Sequence, residues 1–426
     1  MIIEVRANNV FVFNEPITFS LEADMRSSRF SSNVYKEANF NILKVSGIYG
    51  ANNSGKTCLI KCISVIRNVL LNKKFNILSN LFTKNPICEL GITFLYDKEM
   101  YSYDFKFDVS KEEFIFEKFI KIEKDCHNNE KTIKLIHIDR LNKKFDCADK
   151  MAEYLIPNIS GNNILIHLLK TENFESLDKI KNTLHGFASK IDIINMNNIP
   201  IKKTIELLKK KNKINDRIIE FVKKADLYLD KIEYNDSELI NIEFQKGKEN
   251  NKPDEAVLRI PKQLIEQLHL GSTYKGVLVP SLLFDSTGTK KIVALASYIV
   301  EALEQGRILV VDELDSSLHF KLTRAIVAMF NNELNSNAQL IFTVHDINLM
   351  DCKKLFRKEQ IWFIHKDNTR VYVYSLADFT AEKGVRETTD IIEKYRKGAL
   401  GALPEPELIN ILLEINSDEK ERKNEK

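Results

Sequence analysis

The sequence predicts an α/β protein with a mixed sheet, an antiparallel amino-terminal β-region and a mainly helical insert. Strand-like runs at 90–95, 101–107, 114–122 and 133–138 are separated by short turns, which is typical of an antiparallel sheet. In the last third, buried strand-like runs alternate with helical segments, a pattern that predicts right-handed crossovers and a parallel sheet. A glycine-rich turn at 50–57 joins an apolar strand to an amphipathic helix.

The 426-residue chain has the composition of an ordinary folded protein, with 44% apolar and 29% charged residues. At ~150 residues per domain its length predicts two to three domains. We expect an amino-terminal lobe at 1–149, a mainly helical insert at 150–274, a carboxy-terminal lobe at 275–417 and a charged tail at 418–426. The formal charge of +3 excludes a protein that binds polyanions through its bulk charge, so any nucleic-acid role needs a local basic patch.

The cellular compartment is predicted from three features: membrane-spanning segments, a signal peptide and the spacing of the cysteines. No stretch reaches the ~18 consecutive apolar residues of a membrane-spanning helix. Residues 1–6 lack the order of basic, apolar and small residues that marks a signal peptide. The six cysteines form no CxxC set and no metal-ligand spacing, which favours reduced thiols in the core. We therefore expect a cytoplasmic protein without a membrane segment.

The remaining elements follow from hydrophobic periodicity along the chain. The run 43–49 reads as a buried strand, and a helix is predicted at 55–71 because its apolar residues recur at helical spacing. From about 150 to 230 the pattern is helical and rich in Lys, Asn and Ile, and short alternating runs return at 239–244 and 257–260. Further helices are predicted at 289–305 and 317–334, and further strands at 308–311, 339–344 and 361–364.

The turn at 50–57 matches the phosphate-loop pattern G-x-x-x-x-G-K-[ST] in its required context of strand, loop and helix. Glycines let successive backbone N–H groups point at phosphate oxygens, and the helix amino terminus adds partial positive charge. Lys56 would reach the β- and γ-phosphates, and the Thr57 hydroxyl would bind Mg²⁺. The predicted nucleotide-binding residues are Gly50, Asn52, Asn53, Ser54, Gly55, Lys56 and Thr57.

Two acids follow the predicted strand 308–311. A buried strand delivers Asp312 to the carboxyl edge of the sheet, where α/β proteins bind their ligands. Asp312 would hold Mg²⁺, and Glu313 would orient and polarise the attacking water. A second acid directly after the metal-binding one favours hydrolysis over a simple nucleotide switch. The alternative is an acidic pair that only begins a surface loop.

Ser286 and Gly288 belong to a small turn that opens the helix at 289–305. The turn can present N–H groups and a hydroxyl to a phosphate, so it predicts a second anion site, closed by another copy of the chain. The alternative is an ordinary helix cap at Ser286. Asp315 lies in a similar position before the next helix, where a capping role and a functional role both remain open.

His345 ends the predicted strand 339–344. It lies at the sheet edge where the phosphate loop and Asp312 should also converge. We therefore expect it to contact the γ-phosphate or the attacking water, rather than to serve the fold alone.

These segments together resemble ATP-binding-cassette-type ATPase heads of the SMC, RecF and OLD group. GANNSGKT at 50–57 resembles the Walker A motif, and ILVVDE at 308–313 resembles the Walker B motif. DSTGTKK at 285–291 is similar to the signature motif. DELDSSLH at 312–319 is similar to the D-loop region, and TVHD at 343–346 to the switch-histidine segment. Within that group the chain resembles the AbiLi/RloA-like bacterial AAA ATPases, through Ile48-Tyr49 before the loop, the S-T-G-T-K-K signature and the Tyr-Arg-Lys-Gly sequence at 395–398. Two features depart from the pattern: no Q-loop glutamine is assigned, and Thr287 and Thr289 replace the Gly and Gln of many transporters.

The resemblance implies that ATP lies between two heads. Lys56, Thr57, Asp312, Glu313 and His345 would come from one head, and Ser286 and Gly288 from the other. It also implies a homodimer or higher homo-oligomer that acts in phage defence beside an effector. The OLD relatives carry a Toprim nuclease after the head, whereas the sequence after His345 has no convincing acidic Toprim set. We therefore expect the effector, a nuclease or toxin, to be a separate chain.

Three hypotheses follow for the function. The first is a Mg²⁺-dependent ATPase that dimerises on ATP and controls a defence effector. The second is a repair or chromosome-maintenance ATPase that binds DNA directly, for which the basic run 202–213 is the local support, although a solvated helix face explains that run as well. The third is a scaffold that binds ATP without turnover.

Overall fold

The fold is described from a computed structural model that covers residues 1–37, 40–124, 130–210, 212–225, 228–235, 267–368, 370–380, 385 and 389–402. The predicted α/β class, with antiparallel and parallel sheets, is confirmed. The predicted alternating runs at 239–244 and 257–260 and the charged tail at 418–426 lie outside the described residues.

Strands and helices are numbered in chain order. The strands are Ile2–Asn8 (β1), Ile17–Ser20 (β2), Val34–Glu37 (β3), Phe40–Leu43 (β4), Val45–Tyr49 (β5), Ile87–Tyr96 (β6), Glu99–Asp108 (β7), Glu113–Lys124 (β8), Glu130–Asp139 (β9), Lys144–Cys147 (β10), Ile191–Asn195 (β11), Lys231–Tyr234 (β12), Leu270–Tyr274 (β13), Val277–Pro280 (β14), Ile308–Asp312 (β15), Gln339–Thr343 (β16), Ile361–Asp367 (β17) and Arg370–Ser375 (β18). The α-helices are Lys56–Leu70 (α1), Lys150–Leu155 (α2), Leu165–Leu168 (α3), Glu175–Ser189 (α4), Lys202–Lys209 (α5), Lys213–Lys224 (α6), Ser281–Phe284 (α7), Thr287–Gln305 (α8), Phe320–Asn331 (α9) and Ile391–Arg396 (α10).

The amino-terminal sheet is antiparallel, with the order β10-β9-β8-β7-β6-β1-β2 in the described residues. Its four long strands, β6 to β9, are those predicted from the alternating runs, and they are joined in sequence as a meander. One face of the sheet is apolar, and Phe94 on β6 stacks on Phe187 of α4 with ring centroids 3.8 Å apart. Aromatic pairs of this kind add to the burial that holds α4 on the sheet.

The central sheet has the order β11-β15-β16-β5-β17-β18 in the described part of the chain. Its first five strands are parallel, and β18 returns antiparallel to β17. All residues of β5, β15 and β16 are buried, which agrees with a parallel sheet covered on both faces. The carboxyl ends of β11, β15, β16 and β5 therefore meet along one edge.

Helix α1 packs between the two sheets, since it contacts β6 on one side and β11 and β15 on the other. Its buried residues Leu59, Ile63, Ile66 and Leu70 recur every three or four positions and form the face that the sequence predicts. Other apolar clusters bury α8 and α9 against the opposite face of the central sheet, and α5 and α6 against α8. The helix that follows the phosphate loop is thus embedded in the core.

The buried side chain of Gln339, at the start of β16, links the central sheet to β1 of the amino-terminal sheet. Its Oε1 accepts the N–H of Ile2 at 2.7 Å, and its Nε2 donates to the carbonyl oxygens of Ile2 (2.9 Å) and Leu43 (3.0 Å). One amide thereby satisfies backbone groups of β1 and β4 that lie inside the protein.

Several elements differ from the sequence prediction: β3, β12, β13, β14 and β18 were not predicted, and the predicted strand 43–49 is divided between β4 and β5. Two further differences lie close to the phosphate loop. Helix α9 begins at Phe320 rather than at 317, because Ser317 has a φ of +65° and His319 is the residue that caps the helix. Strand β11 lies within a segment predicted to be helical, and it forms the edge of the parallel sheet beside β15. The sequence analysis missed this strand.

Candidate functional site

The phosphate loop at 50–57 runs from β5 into α1. Gly50, Asn53 and Gly55 have φ angles of +154°, +61° and +117°. A Cβ atom on Gly50 would lie 2.3 Å from the carbonyl oxygen of Ile364 in β17, so only glycine fits there. Asn52 and Asn53 are exposed at the tip. The loop is thus tightly curled, as a backbone that surrounds phosphate oxygens must be.

The interior of the loop carries an ammonium group and a hydroxyl. Lys56 is buried, and its Nζ donates to the carbonyl oxygens of Gly50 at 2.6 Å and Ala51 at 2.9 Å. Burial lowers the pKa of Lys56, while nearby carboxylates act in the opposite direction. The buried Ser54 hydroxyl has no hydrogen-bond partner in the described residues. These donors fit an oxygen-rich anion such as a triphosphate.

Asp312 ends β15 and lies beside the start of α1. Its buried carboxylate accepts the Thr57 hydroxyl at 3.1 and 3.3 Å, the Thr343 hydroxyl at 2.7 Å and the Asn195 amide at 3.0 Å. The donors come from three neighbouring elements, so the carboxylate has a defined orientation. A hydroxyl and a carboxylate next to a phosphate loop are the hard oxygen ligands that Mg²⁺ prefers.

Glu313 begins the turn after β15, half-buried, with a φ of +59°. That conformation costs a non-glycine residue about 1–2 kcal/mol. It is held by the Glu313 N–H, which donates to the Thr343 hydroxyl at 2.8 Å, and by the Leu314 N–H, which donates to the Thr343 carbonyl at 3.0 Å. The amide of Asn197 donates to the Glu313 carboxylate at 2.5 Å. The backbone and the side chain of Glu313 are therefore both restrained.

Asp315 contacts the segment after β16. One carboxylate oxygen, Oδ2, accepts the backbone N–H groups of His345 at 2.9 Å and Asp346 at 2.8 Å. Helix α9 is capped by His319, so Asp315 does not have the capping role that the sequence left open. The His345 side chain is exposed at the same sheet edge as Asp312. Asp315 thus fixes the backbone that carries His345.

Ser286 caps α8: its Oγ accepts the Thr289 N–H at 3.1 Å. The ordinary helix cap foreseen for Ser286 is therefore present. A Cβ atom on Gly288 would be 3.4 Å from the nearest atom, the carbonyl oxygen of Ser317, so the fold of one chain accommodates a side chain there. Lys291, one turn further on, donates to the Ser317 hydroxyl at 2.9 Å. The start of α8 thus lies beside the turn that follows Glu313.

The sequence analysis missed three polar residues of this site: Asn195, Asn197 and Thr343. Asn195 is the last residue of β11, and Asn197 lies in the turn that follows it. Thr343 is the last residue of β16. The usable signal was the short isoleucine-rich run 191–194 followed by Asn-Met-Asn, which resembles the apolar run and polar end of β15.

The basic run at 202–213 is partly neutralised within the chain. Lys203 pairs with Asp192 at 2.9 Å and with Glu301, and Lys202 pairs with Glu206 at 3.8 Å across one helical turn. Paired and packed lysines contribute less to a phosphate-binding surface than free ones. The run therefore gives weak support to a DNA-binding face.

Comparison with known families decides the class of the protein. Residues 45–351 match the family described as AAA domain, putative AbiEii toxin, Type IV TA system. The chain belongs to this family. The predicted class of a P-loop ATPase is thereby confirmed, and the matched region of this AAA-domain ATPase contains the phosphate loop and the acids at 312–313.

Solved structures similar to the AAA-domain ATPase include SMC heads. The SMC head domain from Thermotoga maritima is 11% identical, with a TM-score of 0.41, over 88% of this chain and 98% of that one. An SMC head bound to the C-winged helix domain of ScpA is 12% identical, with a TM-score of 0.46, over 90% and 99%. An SMC head with an extended coiled coil, bound to the C-terminal domain of ScpA derived from Pyrococcus furiosus, is 12% identical, with a TM-score of 0.41, over 93% and 99%. No curated protein matches the chain.

The helices of this ATPase do not have the character of membrane spans in the part of the chain that the structure describes. Along the described ranges, none combines the length and the apolar character needed to cross a membrane.

Proposed function

We propose that the chain hydrolyses ATP with Mg²⁺ in a head dimer that controls a separate effector in bacterial anti-phage defence. The observation that carries the catalytic half is the convergence of Thr57, Asp312 and Glu313 at the carboxyl edge of the central sheet, beside the phosphate loop. Phosphoryl transfer depends on positioning and on charge stabilisation, and this edge supplies both kinds of group.

Each residue has a proposed role in hydrolysis. The N–H groups of the loop and Lys56 bind the phosphates, with Lys56 as a point charge on the β- and γ-phosphates. Glu313 orients a water whose oxygen forms a bond to the γ-phosphorus, while the bond from that phosphorus to the β–γ bridging oxygen breaks. The water proton passes to Glu313, and ADP and inorganic phosphate leave. His345 would contact the γ-phosphate or the water at the same edge.

Thr57 and Asp312 are the residues that we assign to Mg²⁺. When bound, the ion would neutralise charge on the phosphate oxygens. Mg²⁺ commonly takes one or two protein ligands and completes its octahedron with waters and phosphate oxygens. The pairing of a loop hydroxyl with a buried carboxylate fits that requirement, because both already face one position.

The dimer follows from the two-sided character of the site. We assign Ser286 and Gly288 to the nucleotide held by the partner chain. The fold of one chain leaves space at Gly288, so a close approach by a second molecule is a sufficient reason for glycine there. Ser286 can cap α8 and still offer its hydroxyl at the helix amino terminus, where anions bind favourably.

The proposed defence role comes from the family and from the resemblance. It is supported by the family description, which names a toxin and a toxin–antitoxin system, and by the resemblance to defence ATPases. A direct role on DNA, as in repair, is the alternative function, with the basic run at 202–213 as its support.

Glu313→Gln tests the catalytic assignment. The amide has nearly the same shape but cannot accept the water proton, so we expect steady-state hydrolysis to fall at least 100-fold while ATP is retained more tightly. Phosphate release and binding of a fluorescent ATP analogue measure the two quantities. Glu333→Gln, at an exposed position outside the site, is the matched control. Wild-type turnover by Glu313→Gln, without tighter retention of ATP, would show that the base is misassigned.

Two further measurements test the biological role. Cells that express the chain with its neighbouring genes should resist phage infection, and the Glu313→Gln variant should lose that resistance in a plaque assay. Salt-dependent binding of a labelled duplex by the purified chain would instead favour the DNA-binding alternative. ATP binding by the wild type without turnover would favour a scaffold.

A further inference from the structure

Asn197 links Glu313 to the start of helix α8. Its Nδ2 donates to Oε2 of Glu313 at 2.5 Å. Its Oδ1 accepts the Ser316 hydroxyl at 2.9 Å and lies 3.5 Å from Nζ of Lys291. Lys291 also donates to the hydroxyls of Ser316 and Ser317, at 3.3 and 2.9 Å. One amide therefore connects the turn after β11, the turn after β15 and helix α8.

The chemistry of these groups determines which way the amide faces. Lys291 can only donate hydrogen bonds, and an ionised Glu313 can only accept them. The carbonyl of Asn197 must therefore face Lys291, and its NH₂ group must face the carboxylate. A flipped amide would place donor against donor on one side and acceptor against acceptor on the other. Among neutral side chains of this length, only an amide satisfies both neighbours at once.

We infer that Asn197 is a positioning residue for hydrolysis, which holds the Glu313 carboxylate in its working orientation and is itself oriented by Lys291 and Ser316. This inference rests on the proposed function of Glu313 as the group that orients the water. A glutamate side chain has three rotatable bonds and samples many positions when its carboxylate is unbound. Because Asn197 binds Oε2, we assign Oε1 to the water. Fixing the base in advance removes a reorganisation step from the chemical barrier.

The charged groups around Glu313 come from several elements. Asp312 precedes it on β15, and Asp315 follows in the same turn. Lys56 approaches from α1, where it interacts electrostatically with all three carboxylates. Lys291 approaches from α8 on the far side of Asn197. His345 lies beyond β16, on backbone that Asp315 binds. A substitution at Asn197 changes the partner of Oε2 without removing any of these charged groups.

Asn197→Ala removes the hydrogen bond at an exposed position where the fold should tolerate the change. We expect kcat to fall about 10- to 100-fold, the range of a charge-assisted hydrogen bond, because the base is no longer held. KM for ATP and the affinity for a fluorescent ATP analogue should stay within about twofold, since no phosphate contact is lost. Asn198→Ala, in the same exposed turn, is the matched control and should keep wild-type kcat.

Asn197→Asp tests the same contact with a side chain of nearly the same shape. It places a second carboxylate against Oε2 in place of the donor, so we expect kcat to fall at least as far as in Asn197→Ala. KM for ATP should again stay within about twofold, a split that a general loss of structure would not produce. Asn198→Asp, in the same exposed turn, should keep wild-type kcat.

The outcomes separate this inference from the proposed function. A wild type that does not hydrolyse ATP contradicts the proposed function, and the inference that rests on it falls with it. A wild type that hydrolyses ATP, with unchanged or raised kcat in Asn197→Ala, overturns the positioning role. Wild-type kcat in Asn197→Asp overturns it as well.

Discussion

At the scale of single residues, Asp315 is the side chain that shapes the segment after β16. One oxygen of its carboxylate binds two successive N–H groups, those of His345 and Asp346, just after β16 ends. Hydrogen bonds to a charged acceptor are about twice as strong as those between neutral groups. The position of His345 therefore depends on a residue whose sequence context is equally compatible with helix capping.

Replacing Asp315 separates its acceptor role from its charge. In Asp315→Ala both N–H groups lose their acceptor, so we expect the free energy of unfolding to fall by about 1–3 kcal/mol and kcat to fall at least tenfold. In Asp315→Asn the amide oxygen can still accept both N–H groups, and the losses should be much smaller. Denaturant unfolding and steady-state hydrolysis measure the two effects. Equal losses in both variants would contradict the anchoring role.

At the scale of elements, β8 carries a buried carboxyl group against helix α3. Glu117 accepts the Leu165 N–H at 2.9 Å and the Tyr103 hydroxyl at 3.2 Å, and burial raises its pKa to about 7. A carboxyl group whose pKa is higher in the folded state stabilises the fold most below its unfolded pKa. That contribution is lost as the pH rises through about 7.

The pH dependence of Glu117→Gln tests that linkage. Between pH 5 and pH 8 the unfolding free energy of the wild type should fall relative to the variant by about 2–3 kcal/mol, because the folded wild type must release a proton that it binds tightly. Urea denaturation at the two pH values measures the difference. Glu123→Gln, at an exposed position on the same strand, should follow the wild type. If the unfolding free energies of the wild type and Glu117→Gln differed by the same amount at both pH values, the pKa of Glu117 would not be raised in the folded protein.

At the scale of the whole molecule, the proposed dimer makes the site complete only when two chains meet. With ATP and Mg²⁺, the Glu313→Gln variant should double its mass in light scattering, since it binds nucleotide without turning it over. Adding Gly288→Glu should keep it monomeric, because a carboxylate there would repel the phosphates of the partner's nucleotide. The control Ser336→Glu, at an exposed position, should still dimerise. A dimer that forms despite Gly288→Glu would place the interface elsewhere.

The sequence predicted the residues whose positions follow from strand ends. Parallel strands present their carboxyl ends on one edge, so Asp312, His345 and the phosphate loop were expected to lie together without knowledge of the strand order. Asn195 and Asn197 were missed because β11 is short and lies in a segment dominated by helical periodicity. The predicted start of α9 was three residues too early. The turn after Glu313 is held by hydrogen bonds from the N–H groups of Glu313 and Leu314 to Thr343, a residue distant in sequence, so no local pattern predicts it.

The amide of Gln339 has a mechanical consequence. It is hydrogen-bonded to the backbone of β1 in the amino-terminal sheet, while Gln339 itself belongs to β16. Strand β16 ends at Thr343, two residues before His345. Because the Thr343 hydroxyl at the other end of β16 donates to Asp312, we expect a force on the amino-terminal sheet to reach Asp312 through β16.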